Sequence, residues 1–143
     1  YNMSDVVVNR SCNEGFGLCT LEAMMACIPI ISINTGGMTR QVEDHETGEQ
    51  YGVGLDPEVR TLVGNQMVPY IYEDFISHEA LANALTTIFE WGPEKRAEVG
   101  LKAQAHAHKD YDMAKLIGDW DRTLTDLTDN WRQKHERWTR IEL

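Results

Sequence analysis

Two carboxylates, Glu14 and Glu22, stand eight positions apart and enclose the run Gly15-Phe16-Gly17-Leu18-Cys19-Thr20-Leu21. A carboxylate accepts paired hydrogen bonds, and sugars and ribose present paired hydroxyls, so each acid suits a ring of that kind. The glycines between them let the backbone come close to a ligand. If a helix opens after Gly17, the amides of its first turn, at about Leu18 to Leu21, point out of the helix end. The helix dipole favours negative charge there, so a phosphate can be seated without Lys or Arg. An acid, a phosphate seat and a second acid suit a ligand with sugar, diphosphate and ribose in line. A plainer reading stands beside this one. Gly-rich strand-to-helix turns occur in many nucleotide-binding proteins, and Glu22 is also simply an acid near a helix N-terminus.

The elements that must position these residues are legible around them. Asp5-Val6-Val7-Val8-Asn9 is a β-branched run and reads as a buried strand. Arg10 to Gly17 is a polar, Gly-bearing loop, and Leu18 to Cys27 is rich in helix formers up to Pro29. Ile30-Ile31-Ser32-Ile33 is a second apolar strand. Strand, loop, helix and strand in this order predict a βαβ unit with parallel strands. Ligands of open α/β sheets bind at the C-terminal edge of such strands, which is where the two acids fall. Gly36-Gly37 makes a tight turn, Met38 to Glu43 a short helix, and His45 to Gly48 another turn. Tyr51 to Gln66 shows no clear periodicity and reads as an irregular excursion, followed by an edge strand at Val68 to Tyr72 that carries Pro69. The rest is helical. Ser77 to Trp91 carries Leu81, Leu85, Ile88 and Phe89, Pro93 opens a helix toward His108, and Lys115 to about Arg140 aligns Leu116, Trp120, Leu124, Leu127, Trp131 and Trp138 on one stripe.

Composition narrows the partners. The 143 residues carry 13 Lys plus Arg against 23 Asp plus Glu, a net charge of −10. Such a chain repels nucleic-acid phosphates, so no nucleic-acid partner is expected. No apolar run approaches the roughly 20 residues of a membrane-spanning helix. Cys12, Cys19 and Cys27 match no zinc spacing, and the five His supply no ligand pair, since His106 and His108 face different sides of a helix. No metal is expected. Three cysteines in this pattern suit a reduced, cytoplasmic setting.

Tyr1 to Gly48, about a third of the chain, resembles the donor-binding signature of retaining glycosyltransferase family 4 (glycosyl transferases group 1). The resemblance rests on Ser11, Glu14-Gly15-Phe16-Gly17-Leu18, Glu22-Ala23-Met24, Pro29-Ile30-Ile31, Gly36-Gly37 and Thr47-Gly48, in order and in spacing. It implies a partial Rossmann-like α/β sheet followed by C-terminal helices, one incomplete half of a GT-B architecture. Residues 1–110 would be donor domain and 111–143 a C-terminal helix. It implies transfer of a hexose from a nucleotide-diphosphate sugar to a sugar, lipid or other acceptor, with retention and without metal or other cofactor. Glu14 would contact the hexose hydroxyls as the catalytic-site acid. Gly15, Phe16, Gly17, Leu18 and Cys19, with Thr20, would meet the diphosphate and the sugar, and Glu22 the ribose. The alternative is a non-catalytic nucleotide-binding or interaction module descended from the same fold.

The resemblance also implies an earlier strand with an Arg and a Lys for the diphosphate, and a separate acceptor domain, neither of which is in these residues. The chain alone is therefore expected to be inactive, and the sheet edge at Asp5 to be uncovered and to promote self-association. Four features depart from the pattern. Cys27 stands where Gly is common, at a position that often needs φ > 0. Arg10 replaces a Pro, Arg40 stands where a Glu often follows Gly-Gly, and the excursion after Tyr51 is long. Arg40 reads as a solvated helix residue ahead of a phosphate contact. Of Tyr70 and Tyr72, at least one is expected in the core, with an acceptor-side role as the other reading.

Overall fold

The computed structural model describes residues 1–134. It divides into two units, Tyr1–Asp110 and a second from Tyr111 on. The first holds a parallel sheet of β1 (Val7–Asn9), β2 (Ile30–Ile33) and β3 (Gly52–Leu55), in the order β1-β2-β3. β2 is central, and all four of its residues are buried. Alternation sorts them to two faces. Ile30 packs with Ala23 and Met24 of α1 (Leu18–Met25), Val42 of α2 (Thr39–Val42), Tyr51, and Ala103 and Ala107 of α4 (Gly92–Asp110). Ile31 packs with Ala84 and Ile88 of α3 (His78–Glu90). A strand covered on both faces must be continuously apolar, which is why Ile30-Ile31-Ser32-Ile33 carries no polar-out alternation.

The expected βαβ unit is present, with α1 between β1 and β2. α1 closes on a Schellman turn, in which the Ile28 amide donates to Ala23 O at 3.0 Å and the Cys27 amide to Met24 O at 3.0 Å. The residue inside that turn takes φ > 0, and Cys27 does so at φ 59. Gly100 of α4 lies directly on it, since a Cβ there would fall 1.9 Å from Cys27 O.

The stretch after Tyr51 departs from expectation. It is not irregular: it supplies β3 and then an antiparallel hairpin, β4 (Val59–Asn65) and β5 (Val68–Phe75), which forms its own two-stranded sheet. Val68 to Tyr72 therefore lies in a ribbon rather than at the edge of the main sheet. Two local features hid the register. Gly64, at φ 134, sits in a bulge between Val63 and Asn65, and Asn65 Oδ1 closes the turn by accepting from the amides of Met67 and Val68. Tyr70 and Tyr72 are each 63% exposed, so neither is core. α3 starts at its Ser77 cap, whose Oγ accepts from the Ala80 amide at 3.0 Å. It buries Ala84 and Ile88 while Leu85 and Phe89 face outward. His106 is buried and stacks on Tyr51 at 4.5 Å between ring centroids, while His108 is exposed.

The second unit contains α5 (Met113–Lys134), whose stripe of Leu116, Trp120, Leu124 and Leu127 is exposed. Trp138 and the last residues of the expected helix lie outside the described residues. Among the described residues no helix is long and apolar enough to cross a membrane.

Candidate functional site

The loop from Arg10 to Gly17 leaves the C-terminal end of β1 and enters α1, as the position of the two acids required. Asn9 ties its two ends together. Its Oδ1 accepts from the Ser11 amide at 3.0 Å, and its Nδ2 donates to Thr20 Oγ1 at 3.1 Å. Thr20 is 0% exposed, so its hydroxyl belongs to this internal brace rather than to the loop surface.

Gly17 is the N-cap of α1, at φ 90, a left-handed conformation natural to glycine. A side chain here would meet Met38 Cγ at 2.7 Å and Gln41 Oε1 at 2.9 Å. The amides of Thr20 and Leu21 both donate to Gly17 O at 3.1 Å. The seat foreseen at Leu18 to Leu21 is therefore narrower: the helix uses the amides of Thr20 and Leu21, and those of Leu18 and Cys19 have no acceptor within it. Leu18 and Cys19 are exposed, as are Gly15 and Phe16.

The Gly36-Gly37 turn supports the loop from beneath. A Cβ on Gly36, at φ 52, would fall 1.8 Å from Glu14 O, and one on Gly37 would fall 2.8 Å from Gly15 O. Backbone thus rests on backbone, and the Gly37 amide donates to Gly15 O at 3.2 Å. Gln41 of α2, fully buried, donates from Nε2 to Phe16 O at 2.7 Å. Nothing in the local pattern around Gln41 singled it out; a lone carboxamide in a short apolar helix was the only signal.

The hairpin grips the same loop from another direction. The Asp74 amide donates to Cys12 O at 2.7 Å, and Asn13 Nδ2 donates to Tyr72 O at 3.1 Å. Asp74 is 3% exposed and accepts from Nε and Nη2 of the Arg60 guanidinium, at 2.5 and 3.0 Å. That pair, with a hydrogen bond from Thr35, holds the Asp74 carboxyl below its ordinary range.

Glu14 is half-buried and Glu22 exposed. Tyr1 OH donates to Glu22 Oε2 at 2.7 Å, and that hydrogen bond to a carboxylate, with partial burial, pushes the phenol up to about 12. Arg40 is exposed on α2. A concavity that the sequence did not announce lies where β2 and β3 end. It encloses about 520 Å³ and is lined by Asn34, Glu43, His45, Gln50 and Asp56 among others.

Residues 1–59 match the family model for glycosyl transferases group 1. Among curated relatives, a D-inositol 3-phosphate glycosyltransferase of Paenarthrobacter aurescens (strain TC1) is 42% identical over 48 residues, 34% of this chain and 12% of that protein. A trehalose synthase of Pyrococcus horikoshii is 30% identical over 112 residues, 78% of this chain and 21% of that protein. Among solved structures, Anabaena Alr3699/HepE in complex with UDP-glucose superposes with a TM-score of 0.64 at 23% identity, over 88% of this chain and 29% of that one. The chain thus spans less than a third of each of these proteins. The structural likeness shows the fold, a Rossmann-like portion of a GT-B architecture.

Proposed function

We propose that this chain, as part of a longer protein, is the donor-binding portion of a retaining glycosyltransferase that takes a hexose from a UDP-sugar. The observation that carries the reading is the Glu14 to Cys19 loop. It lies at the C-terminal end of a parallel strand, runs into the open end of α1, and is braced from below by the Gly36-Gly37 turn. UDP-glucose in the Anabaena protein of the same fold supports the choice of base and sugar class.

In this reading the diphosphate sits against the amides of Leu18 and Cys19 at the positive end of α1. Transfer breaks the bond between the anomeric carbon and the diphosphate, and negative charge grows on the leaving diphosphate. Amides already fixed in place stabilise that charge without reorganising, which is the electrostatic contribution that usually dominates. Glu14 accepts hydrogen bonds from hexose hydroxyls and fixes the sugar for attack. Glu22, steadied by Tyr1, accepts from the ribose hydroxyls. Glu14 is not assigned as a nucleophile, because its expected partner acid faces the ribose and not the anomeric carbon. No metal enters the scheme; the amides carry the phosphate charge. The isolated chain is expected to bind donor without transferring sugar.

The test is saturation-transfer NMR on the chain with UDP-, GDP- and ADP-glucose, and with Glu22→Ala as the control. Transfer to UDP-glucose that fades in the variant is the expected result. Equal transfer in wild type and Glu22→Ala would place the ligand elsewhere, and transfer to none of the three would mean either that donor binding requires the Arg- and Lys-bearing strand that the resemblance implies or that the chain is an interaction module of this fold.

A further inference from the structure

We infer that Arg60, aimed by Asp74, binds an oxyanion, phosphate or carboxylate, on the acceptor that meets the donor site. The inference rests on the donor-site reading above and adds a site for the second substrate. Asp74 is 3% exposed, whereas the Arg60 side chain that it holds is 60% exposed. Asp74 takes Nε–H at 2.5 Å and one Nη2–H at 3.0 Å, two of the five N–H groups of a guanidinium. Among the described residues the guanidinium donates to no other group. The fork between Nη1 and Nη2 is therefore directed away from the buried acid and into solvent. That fork has the shape that meets a carboxylate or phosphate with two parallel hydrogen bonds. Replacing a buried ion pair by apolar side chains is often neutral or stabilising, so packing alone does not call for this one. What the pair supplies is a cation whose rotamer is fixed before a ligand arrives.

The surroundings of the fork point to the acceptor. The register sets Arg60 opposite Asp74 and Leu62 opposite Tyr72, and alternation puts Tyr70 on the same face of β5. Tyr72 is the diagonal neighbour of Arg60 across the ladder, roughly 7–8 Å away in such pairs and within reach of a long side chain. Leu62, Tyr70 and Tyr72 are all exposed, so the guanidinium stands at one end of an apolar and aromatic surface. A surface of that kind with one fixed polar group suits a ring that carries an anionic substituent. Glu73 pairs with Thr61 and so lies on the opposite face. The hairpin is fastened to the Gly-rich loop at Cys12 and Asn13, through the Asp74 amide and the Tyr72 carbonyl. That is the Glu14 end of the loop, where the hexose is placed above, and not the Leu18–Cys19 end, where the diphosphate is placed. An oxyanion at Arg60 then belongs to what lies beyond the hexose, the acceptor. A donor hexose with a carboxylate of its own would set it near Glu14, like charge against like, which disfavours that source.

The experiment is NMR of the arginine Nε–H and backbone amide signals of the full 143-residue chain. Inorganic phosphate is titrated at constant ionic strength, first alone and then with UDP occupying the Leu18–Cys19 seat. The Arg60 Nε–H signal is expected to shift and saturate with phosphate, and to do so equally with UDP bound. Arg60→Lys keeps a cation beside Asp74 and loses the fork. Its phosphate affinity, read at the Tyr72 amide, is expected to fall about tenfold, the worth of one charge-assisted hydrogen bond. Asp74→Asn separates aim from charge. Removing a negative charge would by itself tighten phosphate binding, whereas losing the aim weakens it, and weakening is the expected result. The amides of Ile30 to Ile33, in the buried strand, report that each variant is folded. Unchanged or tighter binding in either variant would overturn the inference. So would phosphate and UDP competing at Arg60, since Arg60 would then serve the diphosphate. UDP-glucuronate shifting Arg60 where UDP-glucose does not would overturn the acceptor assignment in favour of a donor carboxylate. Leu18 and Cys19 responding to UDP while phosphate leaves Arg60 unmoved would sink this inference alone. Leu18 and Cys19 silent to UDP while phosphate moves Arg60 would sink the donor-site reading, and the acceptor role with it.

Discussion

At the scale of the residue, the two acids have different surroundings, which suit the separate roles proposed for them. Glu22 is exposed and steadied by Tyr1, whereas Glu14 is half-buried where its loop rests on the Gly36-Gly37 turn. In the full-length protein, Glu22→Ala is expected to raise the Kd for UDP about tenfold or more, the loss of a charge-assisted hydrogen bond. Glu14→Ala is expected to lower kcat while leaving UDP affinity close to wild type, since UDP lacks the hexose. Calorimetry with UDP and steady-state kinetics check the pair, and interchanged effects would reverse the roles. The Tyr1 contact is open to direct titration. Its phenol stands at about 12 because it donates to the Glu22 carboxylate. Carbon NMR of the ring in Glu22→Gln should show it titrating nearer the ordinary value of about 10. An unmoved titration would remove the hydrogen bond from the account.

At the scale of the element, the hairpin and α4 matter because each closes on a loop far away in sequence. β5 holds the Gly-rich loop through Asp74 and Tyr72, and Arg60 of β4 holds Asp74 in turn. The Asp74 carboxyl lies below its ordinary range in the fold. Such a group adds stability that is fully present above the unfolded value of about 4 and is lost as pH falls through the lower folded value. Urea midpoints should therefore hold from pH 7 down to about pH 4 and decline below it, and Asp74→Asn should flatten that decline. A decline of the same size in the variant would exclude Asp74 as its source. α4 closes on the α1 turn at Gly100. Gly100→Ala forces a methyl group against Cys27 O and should cost roughly 1–3 kcal/mol by urea denaturation. Cys27→Gly should raise stability by up to about 1 kcal/mol, as the left-handed strain at that position is relieved. A stabilising Gly100→Ala would mean that α4 stands off from the turn.

At the scale of the whole molecule, two surfaces bear on association. Among the described residues β1 pairs with β2 alone, which leaves one edge of the parallel sheet open, and Val8 on it is exposed. Separately, α5 carries an apolar stripe on which Trp120 is 58% exposed. Open edges template strand pairing, and apolar stripes of this spacing favour helix pairing. Sedimentation of the chain at tens of micromolar is expected to show dimers or larger species. Val8→Lys should reduce them if the edge is responsible, and Trp120→Lys if the helix is. A wild-type chain that sediments as a monomer would remove both.

The sequence by itself determined the buried strand at Ile30 to Ile33, the helix after Gly17, the two acids around it and the left-handed turn at Cys27. Each of these is written in neighbouring residues: a run of apolar side chains, a pair of glycines, a helix ending before Pro29. It also left the hairpin unread, because a bulge at Gly64 breaks the alternation by which strands are recognised. Only the tertiary structure decided which way the loop's peptides face. The Phe16 carbonyl is turned by Gln41, that of Gly15 by Gly37, and that of Cys12 by Asp74. These partners stand more than twenty residues from the groups they hold, and a hydrogen bond between distant residues leaves no period in the chain. Local chemistry could name the residues of the loop; the direction of its carbonyls depended on packing that brings separate segments to one sheet edge.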